Sequence, residues 1–126
     1  VDFSSTDITQ SNTVPKVGIV APGAGLAIAP QQVLTRFTAG SAGYAGTFTG
    51  IFMRCGTKTN SDYFAKIIKG GILNQTVNKS GLLPMLDSSI LDAIVENDSI
   101  VFSADGTVTT GDGTLSVCIT YSLMPY

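Results

Sequence analysis

The residues of this sequence that could do chemistry are a group of acids in its last third. Asp87, Asp92, Glu96 and Asp98 form the densest set of carboxylates in the chain. Two carboxylates at a suitable separation can hydrolyse a glycosidic bond, and several carboxylate oxygens can hold a calcium ion. The sequence favours a structural role instead, because Asp98 follows Asn97 in a turn-like stretch, where both residue types stabilise the local backbone.

Residue types exclude most other catalytic chemistry. The chain contains no His and no Trp, so a Ser-His-Asp triad, a Cys-His pair and an imidazole metal site cannot form. The G-x-G of Gly23-Ala24-Gly25 lacks the third glycine and the following helix of a dinucleotide fingerprint. No P-loop or G-x-S-x-G motif is present. We therefore predict that the protein is not an enzyme and carries no cofactor and no metal.

The two cysteines, Cys55 and Cys118, have no metal-ligand spacing. The pattern favours two small residues in strands. The alternative is a disulfide between Cys55 and Cys118, which would require an oxidising compartment.

Tyr44 stands apart from the other aromatic residues, most of which occupy strand-like positions. It lies in the glycine-rich stretch of residues 39–46. An aromatic ring on a loop of small residues can contact a partner or stack on a sugar. Tyr44 and Asp98 are therefore the candidate contacts for a protein partner or a host-surface glycan.

The charge balance argues against two classes of partner. Seven Lys and Arg residues face nine acids, for a net charge of −2, and charged residues make up only 13% of the chain. Nucleic acid is not expected as a partner because no basic cluster is present to contact phosphates. A membrane is not expected either, since the longest apolar stretches, such as residues 17–21, are far shorter than the ~20 residues of a membrane span.

The elements that must position these residues are strands. Between residues 114 and 123, apolar residues alternate with Thr, Ser and Cys, which predicts a long half-buried strand. The turn-forming residues 110–113 precede it, and residues 99–104 alternate upstream, so we predict a C-terminal hairpin. Asp105-Gly106 forms either a competing turn or a bulge.

Further strands are predicted upstream from β-branched and aromatic runs at residues 33–38 and 47–55. Two more runs, residues 63–68 and 72–77, flank Gly70-Gly71, which is a turn signal. Residues 87–95 suit a strand or one to two helical turns equally well.

The chain's 126 residues fit one domain. Residues 1–13 are largely polar and predict an extended N-terminal arm that docks on something else. Residues 14–126, with short strands separated by turn signals, predict a single all-β domain, an antiparallel β-sandwich.

The last third of the chain resembles a known group of folds. Ile94-Val95-Glu96-Asn97-Asp98-Ser99-Ile100-Val101-Phe102, the Gly-Asp-Gly turn and the strand of residues 114–123 resemble the closing strands of trimeric jelly rolls of the tumour necrosis factor and complement-head type. Asn97 departs from that pattern, since glycine is commoner there. The Ser/Thr/Gly-rich composition is similar to that of decoration, head-fibre and spike modules of tailed-phage virions. The resemblance implies a jelly-roll-like sandwich that assembles as a homotrimer.

Assembly also agrees with the composition, because a hydroxyl-coated surface with few charges can be approached by another copy at small desolvation cost. We therefore expect a non-enzymatic virion structural protein on the particle surface, a capsid decoration, cement or spike protein whose partners are itself and the capsid shell protein. One alternative is a carbohydrate- or receptor-binding adhesion module. Another is a main capsid shell protein, and a hydrolase with paired acids is a third.

Overall fold

The computed structural model describes residues 1–85 and 92–126, which form ten strands and one short helix. The helix, α1, spans Ser5–Thr9. The strands are β1 (Asp2–Phe3), β2 (Lys16–Ile19), β3 (Leu26–Thr38), β4 (Ala45–Gly46), β5 (Gly50–Cys55), β6 (Tyr63–Ile68), β7 (Lys79–Leu83), β8 (Ile100–Ala104), β9 (Val108–Thr110) and β10 (Thr114–Pro125).

Eight of the strands form two four-stranded antiparallel sheets. Sheet A has the order β1-β10-β3-β7, and sheet B has the order β2-β8-β5-β6. The pairs are nested along the chain, because β1 pairs with β10, β2 with β8, β3 with β7, and β5 with β6. A long antiparallel hairpin rolled up in this way is a jelly roll. The predicted all-β, antiparallel, jelly-roll-like sandwich is confirmed.

The core lies between the two sheets, where alternate residues of each strand point inward. Burial of a large apolar side chain contributes about 1.5–3 kcal/mol. Fully buried residues from sheet A include Phe3, Val33, Phe37, Leu115 and Val117, and those from sheet B include Ile51, Met53, Ile67, Ile100 and Phe102.

The N-terminal residues 1–13 are not an extended arm. Ser4 begins α1 as its N-cap, with a reciprocal pair of hydrogen bonds in which Asp7 N–H donates to Ser4 Oγ and Ser4 N–H donates to Asp7 Oδ2. Phe3 is buried and packs edge-to-face on Phe102, with ring centroids 5.2 Å apart. This segment therefore folds into the chain's own core, and its polar composition reflects a capped helix.

The predicted C-terminal hairpin is wrong. β8 pairs with β2 and β5 in sheet B, whereas β10 pairs with β1 and β3 in sheet A. The chain crosses from one sheet to the other over residues 105–113, and β9 pairs with β4 on the way. Asp105-Gly106 is the turn at which the chain leaves sheet B.

The prediction of a strand over residues 72–77 is also wrong. The chain forms a wide turn over Lys69–Leu73, in which Gly71 has a φ of +90° that favours glycine. Asn74 closes this turn, since its Oδ1 accepts a hydrogen bond from Gly71 N–H. The next strand is β7, which was not predicted. The hypothesis for residues 87–95 falls mainly on residues 86–91, which lie outside the described part of the chain.

Candidate interaction surface

Asp98, a predicted partner contact, is directed toward its own fold. It is almost fully buried, and its Oδ2 accepts hydrogen bonds from Thr57 N–H at 2.8 Å and Thr57 Oγ1 at 2.6 Å. Its Oδ1 accepts from Ser99 N–H at 2.8 Å. The carboxylate therefore fixes the loop after β5 to the start of β8 and is not presented to a partner.

The other acids of the predicted cluster have separate structural partners. Glu96 Oε1 accepts a hydrogen bond from Gly25 N–H at 2.6 Å, and Asp92 pairs with Lys58 at 3.0 Å. Asp87 lies outside the described residues. Within residues 1–85 and 92–126, no group of three or more Cys, Asp or Glu residues could hold a metal ion.

Tyr44 is buried, which corrects the prediction that it contacts a partner or sugar. Its hydroxyl donates a hydrogen bond of 2.5 Å to the Gly113 carbonyl, and its ring lies beside Phe37 with the centroids 6.3 Å apart. Burial, and then the negative charge of Asp112, raise the pKa of Tyr44 to about 12. The residue is therefore part of the core at one end of the sandwich.

Glycine makes this burial possible. Gly111 has a φ of +132°, and a Cβ at that position would overlap the Tyr44 ring. A Cβ on Gly113 would overlap the Phe37 ring in the same way. The absence of side chains lets the backbone of residues 111–113 lie directly over the two aromatic rings.

Two further aspartates connect distant segments at the same end of the sandwich. Asp105 accepts hydrogen bonds from Thr49 N–H and Thr49 Oγ1, and Asp112 accepts from Ser41 and Ala42. Desolvation is the largest single effect on the pKa of Asp105 and raises it, but the hydrogen bonds from Thr49 and from Gly50 N–H together outweigh it and leave the pKa below its usual value. Hydrogen bonds, first from the Ser41 hydroxyl, lower the pKa of Asp112.

Cys55 and Cys118 do not form the disulfide considered as an alternative. Both thiols are free; Cys55 is buried in sheet B and Cys118 is exposed on sheet A. The favoured prediction, that both are small strand residues, agrees with their positions in β5 and β10.

The outer face of sheet B is covered by polar groups of the same chain. Phe52 and Val101 point outward on this face but are nearly buried. The Lys66 ammonium lies 4.9 Å from the centre of the Phe52 ring, and the Tyr63 ring packs edge-to-face on it. Arg54 spreads over the same face, and desolvation lowers the pKa of its guanidinium. The exposed apolar residues of this face, Val17 on β2 and Ile68 on β6, lie on the two opposite edge strands of the sheet.

The outer face of sheet A is different. Leu34 points outward because its neighbours Val33 and Thr35 are buried. In the strand register, Leu34 lies opposite Leu82 of β7 on one side and Cys118 of β10 on the other. We call Cys118, Leu34 and Leu82 the apolar row. All three side chains are exposed, in a row across the sheet.

The charges on this face nearly cancel. Asp2 and Arg36 are the charged residues at the outward positions of sheet A, and both flank Ser116 in the strand register. Most other outward positions carry hydroxyl, amide or apolar side chains. Another surface of the same kind can approach without net charge repulsion.

One edge of sheet A is also open. β1 covers β10 only as far as Val117, whose N–H donates to the Val1 carbonyl. Beyond that point, no strand in the described part of the chain pairs with this side of β10. An open groove runs along it, lined by Val1, Gly18–Val20, Ser116–Ile119 and Tyr121. We call residues 118–124 of β10 the free edge.

The apolar row and the free edge were not predicted from the sequence. The predicted alternation matches the structure over residues 114–120, where Thr and Cys are exposed, but Tyr121 and Leu123, predicted on the buried face, are exposed beyond the register shift at Thr120. Leu34, Leu82 and Cys118 are aligned by the pairing of strands that are far apart in the chain. The sequence around each residue does not indicate which strands pair or in which register.

Comparisons with known proteins identify no relative. No protein-family model, curated protein or solved structure matches the chain. No helix in the described residues has the length and apolar character needed to cross a bilayer. Function must therefore be inferred from the chain's own surfaces.

Proposed function

We propose that this chain is a non-enzymatic virion structural protein, which acts as a homotrimer on the particle surface and decorates, cements or caps the capsid through contact with the shell protein. The contrast between the two outer faces of the sandwich carries the proposal. Sheet B covers its outward aromatic ring with Lys66 and Tyr63 and exposes Val17 and Ile68 on separate edge strands, whereas on sheet A the exposed Leu34 and Leu82 are neighbours in the strand register. Apolar groups left together on one face indicate a protein interface.

The chemistry of the described residues supports a structural role. Asp98 and Glu96, two of the acids that stood out in the sequence, accept hydrogen bonds from backbone N–H groups of other segments of the chain, and Asp105 does the same. A carboxylate used in this way stabilises loops and is poorly placed for acid–base chemistry. Jelly rolls occur in viral capsid domains and in lectins, so the fold alone does not decide between these classes.

The adhesion module loses its support because its two candidate contacts, Tyr44 and Asp98, are buried. The main shell protein remains the second candidate, since the nested strand order is one that capsid domains use. The two candidate functions predict different assemblies of the purified chain.

Light scattering on the purified chain tests the proposal. We expect a particle of about three times the 13.1 kDa chain mass, and no binding on a glycan array. A compact monomer would contradict the proposed assembly. Closed shells of many copies would support the shell protein instead, and saturable glycan binding would support the adhesion module.

A further inference from the structure

We propose that the outer face of sheet B binds an acidic segment of a partner protein, with Arg54 as the central contact for a carboxylate side chain. The inference deepens the proposed function, on which it rests, because it names the surface and the chemistry by which the chain meets the capsid shell protein. This face lies on the opposite side of the sandwich from the apolar row. The two surfaces are therefore free to serve different partners.

The guanidinium of Arg54 is held in place by its own chain. Its Nε donates hydrogen bonds to Asn60 Oδ1 at 2.8 Å and to Ser103 Oγ at 3.2 Å. Its Nη1 donates to the carbonyls of Cys55 and Gly56, each at 3.1 Å. Among the described residues nothing accepts from Nη2, and every buried side-chain N or O atom there has a partner, so Nη2 reaches the surface. Because the side chain is already ordered, a ligand that binds Nη2 loses little to ordering it.

The acids near this face are engaged elsewhere. Asp98 attracts the Arg54 guanidinium from beyond ion-pair distance, and its carboxylate accepts hydrogen bonds from the loop after β5. Asp105 accepts from the residues that precede and begin β5. Within the described part of the chain, neither Arg54 nor Lys66 forms an ion pair. A partly buried cation without a counterion carries a desolvation cost, which an incoming carboxylate offsets.

Arg54 and Lys66 form a positive patch with two aromatic rings. In the strand register, Arg54 lies opposite Tyr63, and Phe52 lies opposite Lys66. The Lys66 side chain crosses Gly50, where a Cβ would lie 2.8 Å from Lys66 Cε, and its ammonium lies 4.9 Å from the centre of the Phe52 ring. The four strands of sheet B contain no Asp and no Glu. The patch is therefore positive on a chain whose net charge is −2.

The shape and composition of the patch favour a protein as its occupant. Arg and Tyr are enriched at the energetic centres of protein interfaces. A small acidic ligand, such as a sugar acid, is usually bound in a concave site, whereas this patch lies on the face of a sheet. Nucleic acid binding needs more cations than Arg54 and Lys66 provide. Charge complementarity therefore points to Asp or Glu side chains of a partner protein.

Binding of synthetic peptides to the purified wild-type protein tests the proposal. The probe is a fluorescently labelled peptide of alternating Glu and Ser, and in the control peptide Gln replaces each Glu. Fluorescence anisotropy is measured at an ionic strength of about 0.1 M, where charges more than about 10 Å apart are largely screened. Calorimetric titration with polygalacturonate supplies the same carboxylate chemistry on a sugar.

We expect the Glu peptide to bind and the Gln peptide not to bind. Arg54→Gln should weaken binding at least about tenfold, because it removes a charge-assisted hydrogen bond. Arg36→Gln is the matched control, since it removes the same charge from an exposed arginine on sheet A, and it should leave the affinity within about twofold. Circular dichroism confirms that both variants keep their β-structure.

Three results would overturn the site. The first is a wild-type chain that does not bind the Glu peptide. The second is equal weakening by Arg54→Gln and Arg36→Gln, which would show attraction by net charge alone. The third is binding of polygalacturonate without binding of the Glu peptide, which would overturn the protein partner and support the adhesion module.

Backbone amide chemical shifts of the wild type provide a measurement that requires no variant. Titration with the Glu peptide should shift the amides around Arg54 and Tyr63 and leave those around Arg36 unchanged, and shifts confined to sheet A would overturn the site. Light scattering separates this inference from the proposed function. A trimer that does not bind the peptide overturns the site alone, whereas a monomer that binds it supports the site and contradicts the proposed assembly.

Discussion

Replacing Tyr44 with Phe removes one buried hydroxyl and tests whether this residue belongs to the core. The phenol donates its 2.5 Å hydrogen bond to Gly113, and the residue is 1% exposed. Without the hydroxyl, the Gly113 carbonyl stays buried without this partner, at a cost of about 1–3 kcal/mol. For a domain of this size, each kcal/mol lowers the melting temperature by about 3–6 °C.

The same substitution changes the response to alkaline pH. The folded pKa of Tyr44, about 12, lies above the ordinary value of 10.0. A group whose pKa is raised by folding stabilises the protein fully below the unfolded pKa, and this contribution is lost as the pH rises through the folded pKa. The wild-type chain should therefore lose about 2–3 kcal/mol from Tyr44 between pH 10 and pH 12, and Tyr44→Phe should not.

Urea unfolding followed by circular dichroism at pH 7, 10, 11 and 12 measures both effects. Tyr126→Phe is the matched control, because Tyr126 is largely exposed and the loss of its hydroxyl should not change the stability at pH 7. The reasoning would be refuted if Tyr44→Phe were as stable as wild type at pH 7, or if its stability fell as steeply as that of wild type above pH 10.

Two further predictions concern the loops at the same end of the sandwich. Hydrogen bonds from Thr49 lower the pKa of Asp105 in the folded protein. The carboxylate therefore stabilises the folded state above its unfolded pKa, and this stabilisation is lost as the pH falls through the folded pKa. Urea titrations between pH 5 and pH 2 should show that stability falls less steeply with pH in Asp105→Asn than in wild type, and equal slopes would contradict this prediction. Gly111→Ala should destabilise the fold by at least about 2 kcal/mol, because it adds strain at positive φ and a clash with Tyr44. Thermal melting should show no such loss for Gly81→Ala, where a Cβ meets no neighbour, and a similar loss in both variants would argue against the close packing at Gly111.

Strand positions could be predicted from the sequence wherever one face is buried. β10 and β8 follow a two-residue alternation, and the predicted residues 114–123 and 99–104 match their bounds closely. β3 was predicted only over residues 33–38 because Pro30 interrupts the earlier part. Pro30 is tolerated because it lies opposite Tyr121 at a register shift, and β7 does not reach that part of β3.

Which strands pair, and which side chains become buried in loops, could not be predicted. The hairpin prediction joined β8 to β10 because they are close in the chain, but the two strands belong to opposite sheets. Tyr44 was assigned to the surface because its own loop is rich in glycine. Its burial depends on Gly111 and Gly113, which lie more than sixty residues away and whose lack of side chains allows the backbone to cover the aromatic rings.

The nested order of the strands has a consequence for biosynthesis. β5 and β6 are close in the chain and can pair early, whereas β1 must wait for β10, the last of the described strands. Contacts between distant segments make folding slow. β10 lies between β1 and β3, so sheet A cannot be completed before β10 has been synthesised. A chain truncated before β10 therefore lacks a central strand of sheet A and cannot present the apolar row across that sheet.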